Sequence, residues 1–278
     1  MADLISTLDS LNIDVTPPPP PSTEIPPLTL THTELNAVKE VRMKLIEEGM
    51  SPSSIDPLMC SLTTINQKLR IDDSVKKYRK FVEGLSTFGI TDFSKDVWKG
   101  FSDFDTTLRP LFSSYSVCGT HKKRSIFWIN GGSPVTVDKE RDAVRAGIMY
   151  FTAIHADAHS LREGIAFVID VGNQTGERIG NEKKMQQMWQ SFPLRPQRIL
   201  ISGAGMVKRI FINGLVRFAA LFSKAKVLER IRFVTMDDVI QELGSEVVPK
   251  YRSEKGKDGD IADWVKARLK VFPPPKIE

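Results

Sequence analysis

Residues 195–232, RPQRILISGAGMVKRIFINGLVRFAALFSKAKVLERIR, decide how this chain is read. The apolar run Ile199-Leu200-Ile201 is long enough for one buried strand, and the glycine pair Gly203 and Gly205 ends it. From Met206 to Ser223 the residues Ile210, Phe211, Leu215, Phe218, Leu221 and Phe222 recur at helical spacing. Arg209, Asn213 and Arg217 fall four apart, so the polar face of that helix is one narrow stripe with Lys208 beside it. Across the stretch nine Lys or Arg stand against one acid, Glu229, in a chain whose total charge is +5. Such a helix is either packed between a sheet and a neighbour, with its cations at a solvated edge, or a movable wall of an apolar pocket facing an anionic surface. A nucleic-acid patch fits less well, because the aromatics are Phe on the apolar side and do not alternate with the cations.

Working outward, the second half alternates. Strands are expected at Ser125–Ile129, Ile165–Val171, Ile199–Ile201 and Ile231–Thr235. Helices are expected at 137–159, 181–190 and 206–223, from Asp237 or Asp238 to Leu243, and at 261–269. Strands separated by helices require crossover connections and hence a largely parallel sheet covered by helices. The first half reads as helical. Thr31-His32-Thr33-Glu34 has the form of a capping box, and Leu35, Val38, Val41 and Leu45 carry an apolar face to Gly49. A second helix is expected over 54–69. A third, capped by Asp72 or Asp73, would bury Val75, Tyr78, Val82 and Leu85 and end near Gly89.

Residues 1–30 differ in kind. They hold four acids, no Lys or Arg, and an unbroken proline run from Pro17 to Pro21, which favours extended polyproline II. This is expected to be a disordered spacer. Its proline run could also engage a proline-motif-binding adaptor protein. Leu4, Leu8, Leu11 and Ile13 have the spacing of a leucine-rich export signal, a pattern any short amphipathic stretch can give. The other 248 residues carry 39 cations against 30 acids, which favours an acidic partner such as a membrane surface or a phosphorylated ligand. No apolar run approaches the ~20 residues that span a bilayer, and the N-terminus has no basic start followed by an apolar centre. A cytoplasmic protein, peripherally associated with membranes, is the expectation.

Catalytic patterns are weak. Gly203-Ala204-Gly205 opens a helix after a strand, but Lys208 stands where a dinucleotide fingerprint has its third glycine, and Lys224 and Lys226 occupy the region of the ribose-binding acid. His155 and His159 have the spacing of two metal ligands on one helix, yet both continue the face of Val144, Ile148 and Phe151, so hydrogen-bonded core histidines suit them better. Cys60 and Cys118 are isolated and read as small hydrophobes. No catalytic residue, metal site or cofactor is therefore assigned, and a binding protein is expected.

Four short motifs point to a family. Gly164-Ile165 with Phe167-Val168-Ile169-Asp170, then Ser191-Phe192-Pro193-Leu194-Arg195, Arg198-Ile199-Leu200-Ile201, and Lys226-Val227-Leu228-Glu229-Arg230-Ile231 resemble, in this order and at similar spacing, the CRAL-TRIO lipid-binding domain. The likeness covers roughly residues 121–256. After the proline-rich tail (1–30), it implies a helical N-terminal domain (31–120) packed on an α/β lobe (121–278) whose sheet floors an apolar pocket. The segment 206–222 then corresponds to the family's mobile gate helix. Lipid-facing candidates are Phe167, Ile169, Ile201, Phe211, Leu215, Phe218 and Phe222. Lys208, Arg209, Arg217, Lys226 and Arg230 are the candidates for contacting phosphoinositide headgroups and membrane. The expected function is binding and transfer, or presentation, of a hydrophobic lipid at anionic membranes. The alternative is an interaction scaffold that keeps the fold without the lipid. Neither reading involves nucleic acid.

Overall fold

The computed structural model describes residues 30–97, 103–116, 120–121, 124–130, 137–155, 158–170, 184, 188, 191–193, 195–202, 229–249 and 261–271. Helix α1 (His32–Glu47) begins at the expected capping box. The Thr31 hydroxyl accepts from the Glu34 N–H, and the Glu34 carboxylate accepts from the Thr31 N–H at 2.8 Å. Of its expected apolar face, Val38, Val41 and Leu45 are fully buried and Leu35 is half-buried.

Helix α2 is shorter than the expected 54–69. It spans Pro57–Asn66, because Asp56 caps the Met59 N–H, Pro57 takes the first turn, and Lys68 and Leu69 adopt left-handed backbone at the other end. Every residue from Leu58 to Asn66 is buried, so its hydroxyls cannot turn to water. Ser61, Thr63 and Thr64 instead donate to the carbonyls of Pro57, Met59 and Cys60. Helix α3 (Ile71–Ser86) is capped by neither aspartate. Arg70 holds the cap position without a side-chain bond, while Asp72 and Asp73 lie in the first turn, where the helix dipole favours carboxylates. Phe81 takes the buried place expected of Val82, which is half-buried. A four-residue turn of helix, α4 (Phe93–Asp96), and a π-helical segment, Phe104–Leu108, lead towards the sheet.

The expected helix over 137–159 is interrupted. Helix α5 (Glu140–Ile154) ends at His155, and α6 (Ala158–Glu163) starts afresh, so His155 and His159 do not share one helix. Helix α7 (Met236–Leu243) is capped by Thr235, with Asp238 as the reciprocal member of its capping box, so neither aspartate opens it. Helix α8 (Ile261–Val271) follows.

The strands among the described residues are β1 (Thr120–His121), β2 (Arg124–Asn130), β3 (Ile165–Asp170), β4 (Pro196–Ser202) and β5 (Ile231–Val234), adjacent in sequence order. The short β1 is antiparallel to β2, and β2, β3, β4 and β5 are mutually parallel. The fold is thus α/β, with helices outnumbering strands around a parallel sheet, as the alternation of periods implied. No helix among the described residues is long and apolar enough to cross a membrane.

One continuous apolar core joins the N-terminal helices to the sheet. A chain of rings runs through it, from Phe81 of α3 to Phe192 (5.2 Å between centroids), Phe151 of α5 (4.4 Å), Phe127 of β2 (5.9 Å) and Phe167 of β3 (4.8 Å). Polar ties cross the same boundary. The buried Asn66 amide donates to the Pro193 carbonyl, and Arg162 of α6 binds Glu34 of α1 with two donors, at 2.6 and 2.7 Å. Helix α8 is fastened by Arg109 to Asp263, by Lys266 to Asp105, and by Arg268 to the Ala153 carbonyl.

Between its pairing with β1 at Ser125 and the bridge of Ile129 to Tyr115, the edge of β2 is completed by a side chain. The buried Tyr150 hydroxyl accepts from the Trp128 N–H at 3.1 Å and donates to the Ser116 carbonyl at 2.9 Å. Tyr150→Phe keeps the ring packing but strands a buried N–H. It is expected to cost about 1.5 kcal/mol in urea denaturation, with the slope of the transition unchanged.

Candidate functional site

In a parallel sheet, residues in register share a face and alternate along each strand, so the register sorts every strand residue. Phe127 aligns with Phe167, and Phe167 with Ile199; two residues on, Ile129 aligns with Ile169, Ile169 with Ile201, and Ile201 with Phe233. The three lipid-facing candidates that lie on strands, Phe167, Ile169 and Ile201, therefore share one face. The second set forms an unbroken apolar row, Ile129-Ile169-Ile201-Phe233, across the carboxyl ends of all four parallel strands. That end of an open parallel sheet is where its crevices receive ligands.

The row is graded. Ile201 and Ile169 are 2 % and 7 % exposed, Ile129 is half-buried, and Phe233 is 55 % exposed. Among the described residues Phe233 and Met43 are the exposed large apolar side chains, and Phe233 alone continues a buried apolar surface. Half a strand earlier the same face is packed solid. Phe167 lies against Phe127, which in turn meets Tyr150 and Phe151 of α5 at 4.9 and 5.9 Å. Phe167 thus belongs to the aromatic core more than to an open surface, and Ile169 and Ile201 stand nearer the free end.

The opposite face is polar at the same level, with Asn130, Asp170 and Ser202 in register. Asp170 and Ser202 are buried, and Asn130 accepts from the Trp128 indole and donates to Ser116. Nearer β5 this face is covered by α7, whose Val239 and Leu243 are buried and whose Glu242 binds both Arg198 of β4 and Arg232 of β5. One sheet therefore presents hydrocarbon on one side and ion pairs on the other.

Of the membrane-contact candidates, Arg230 lies just before β5 and donates to the Pro196 carbonyl, so it fastens the start of β5 to β4. Lys208, Arg209, Arg217 and Lys226, with Phe211, Leu215, Phe218 and Phe222, lie outside the described residues, as do Gly203 and Gly205. His155 is buried, its Nδ1 3.0 Å from the Phe151 carbonyl and its ring tilted at 40° against that of Phe151. Among the described residues no group of His, Cys, Asp or Glu is placed to hold a metal ion. Burial pushes the Cys60 thiol up to about 12, which removes thiolate chemistry at neutral pH.

Sequence reasoning missed Ile129 and Phe233. Both follow from strands it had located, since alternation along β5 pairs Phe233 with Ile231. What was missing was the register that lines the four strands up. Compared with known proteins, the chain matches no family model and no curated sequence.

Proposed function

We propose that this protein is a non-enzymatic carrier that binds a hydrophobic lipid against the Ile169 and Ile201 face of its sheet and delivers or presents it at an anionic membrane. The observation that carries this reading is the apolar row at the strands' carboxyl ends, buried at its centre and exposed at Phe233. The resemblance to CRAL-TRIO domains supplies the ligand class, and the row fits it because an acyl chain needs continuous hydrocarbon contact.

Topology supports the same reading. Helix α5, in the connection from β2 to β3, lies on the Phe127 face, and the next two strands are added in the same direction. Crossovers of one hand then pass over one face, and right-handed connections predominate at ~98 %. In this proposal the segment that the resemblance assigns to the mobile gate, 206–222, is the movable wall of the row. Phe211, Leu215, Phe218 and Phe222 complete the lipid-binding surface, and Lys208, Arg209, Arg217, Lys226 and Arg230 face the membrane.

Magnitudes explain why such a wall must move. Carrying a sixteen-carbon chain through water exposes methylenes at ~0.8 kcal/mol each, about 12 kcal/mol in all. A closed pocket removes that cost and would also trap the lipid, so the wall opens where its surroundings are already apolar. Cations near an anionic leaflet, each worth ~1 kcal/mol, bring it there. Native mass spectrometry of the purified chain is expected to show one co-purified lipid per protein, released by organic solvent. A ligand-free mass, together with an experimental structure in which the chain's own side chains fill the space above Ile169 and Ile201, would leave the interaction scaffold in its place.

A further inference from the structure

We propose that Ser51 is a phosphorylation site for a proline-directed protein kinase, and that the phosphate loosens the corner between α1 and α2. The proposal is independent of the carrier reading. Among the described residues Ser51 is the only Ser or Thr followed by proline, and that neighbour sets its shape. A residue before proline is held out of the helical region, and Ser51 lies at φ −61°, ψ 133°. An extended acceptor followed by a residue with no N–H suits a kinase groove that offers no hydrogen-bond partner at that point. Ser51, Pro52 and Ser53 are all exposed. The Ser51 hydroxyl caps no backbone N–H and shares one bond, at 2.9 Å, with the exposed Ser53 hydroxyl. The single 3-10 turn that follows is closed onto the Ser51 carbonyl by the Ser54 N–H and hydroxyl, at 2.9 and 2.7 Å, bonds that water can replace.

The corner is presented because both of its ends are fixed. Before it, the Gly49 and Met50 N–H groups close α1 on the carbonyls of Ile46 and Leu45. After it, Ile55 is buried and the Asp56 N–H donates to the Tyr78 hydroxyl at 2.9 Å. Arg79, next to Tyr78 on α3, binds the Glu48 carboxylate at 2.7 Å. A competing motif is closed by its place in the fold. Ser125 follows Lys122-Lys123-Arg124, the pattern of a base-directed kinase, but it is buried in β2 and its hydroxyl accepts from Ser160. In the transfer the Ser51 oxygen bonds to the γ-phosphorus of ATP, the bond from that phosphorus to the β-phosphate oxygen breaks to give ADP, and the hydroxyl proton leaves to the kinase. The product adds about −1.5 to −2 of charge just past Glu47 and Glu48, at the carbonyl end of α1, so like-charge repulsion and the helix dipole act in the same direction.

The test incubates the full chain with ATP and a mitogen-activated protein kinase and maps the phosphate by peptide mass spectrometry, which separates Ser51 from Thr16 and Ser133, the other residues followed by proline. Ser51 is expected to approach one phosphate per chain. Pro52→Ala is expected to slow its labelling about 10-fold, the order set by an unpaired N–H in the groove, and Ser53→Ala to leave it unchanged. The phosphorylated chain is expected to melt about 2 °C below the unmodified one. A folded chain that takes no phosphate at Ser51 overturns the proposal, as does a Pro52→Ala variant labelled at Ser51 as fast as the parent. A phosphorylated chain that melts with the parent or above it overturns the loosening, since the phosphate would then be held at the corner by Arg79.

Discussion

Gly164→Ala is expected to destabilise the protein by about 4 kcal/mol, a large part of the 5–15 kcal/mol that holds a typical domain folded. Gly164 joins α6 to β3 with φ +87°, a region in which an L side chain costs about 1–2 kcal/mol. A Cβ there would lie 2.3 Å from the Arg195 carbonyl oxygen and 2.9 Å from Gln197 Cγ. The oxygen is backbone and already accepts the Ile165 N–H, the bond that aligns β3 with β4 at their start, so it cannot retreat without losing a buried hydrogen bond. The strain and the lost bond add to roughly 2–5 kcal/mol. Gly49 supplies the control. Its φ is +89°, but nothing lies within 4 Å of a Cβ built there, so Gly49→Ala is expected to cost only about 1 kcal/mol. Guanidinium denaturation of the two variants separates conformational strain from steric clash. Equal costs would mean that Gly164 does not sit against the Arg195 carbonyl, and with it would go the register that aligns Ile169 with Ile201.

That register marks the boundary of what could be read from residues alone. Local signals were legible. The capping box at Thr31 is built as its pattern requires, and the strands expected at 125–129, 165–171, 199–201 and 231–235 are found at Arg124–Asn130, Ile165–Asp170, Pro196–Ser202 and Ile231–Val234, because each depends on a few neighbouring residues. Boundaries set by competition were not. Asp72 and Asp73 are good caps by type, yet the helix begins one residue before them and uses their charge in its first turn. The 137–159 helix has an uninterrupted apolar face but breaks after Ile154, where His155 folds back onto the Phe151 carbonyl. Interactions distant in sequence were invisible. The pairing of Phe233 with Ile201, the Tyr150 hydroxyl on the edge of β2, and the grip of Arg162 on Glu34 depend on how elements meet, which no spacing rule encodes. The candidate site divides in the same way. Phe167, Ile169 and Ile201 were found as members of apolar strands, whereas the grading of exposure along their row needed the assembled sheet.

Acid is expected to loosen the junction between the N-terminal helices and the sheet, and the group responsible is Glu34. Its carboxylate caps the Thr31 N–H and at the same time receives both donors of Arg162, 128 residues away. The Arg162 guanidinium, foremost, and the Thr31 N–H outweigh the effect of burial and hold the Glu34 carboxyl down at about 2 from an ordinary value of 4.5. A carboxylate whose folded pKa is depressed stabilises the fold fully above its unfolded value. That contribution fades as pH falls from about 4.5 towards about 2, because the unfolded chain takes up the proton first. The full shift would correspond to roughly 3 kcal/mol, and solvent reaches Arg162, whose side chain is one-third exposed, so about 2 kcal/mol is the expected share. Glu34→Gln should therefore be about 2 kcal/mol less stable than the parent at pH 7, and the two stability curves should converge near pH 2. Arg162→Ala should reproduce the pH 7 loss, since it leaves a carboxylate only 10 % exposed without its cation, and the double variant should lose little more than either single one. Urea denaturation from pH 7 to pH 2 gives all three comparisons. Parallel curves for Glu34→Gln and the parent across that range would show that the carboxylate is not held by Arg162 in solution, and the attachment of the two halves of the core would then fall to the aromatic chain from Phe81 to Phe167 and to ties such as the Asn66–Pro193 hydrogen bond.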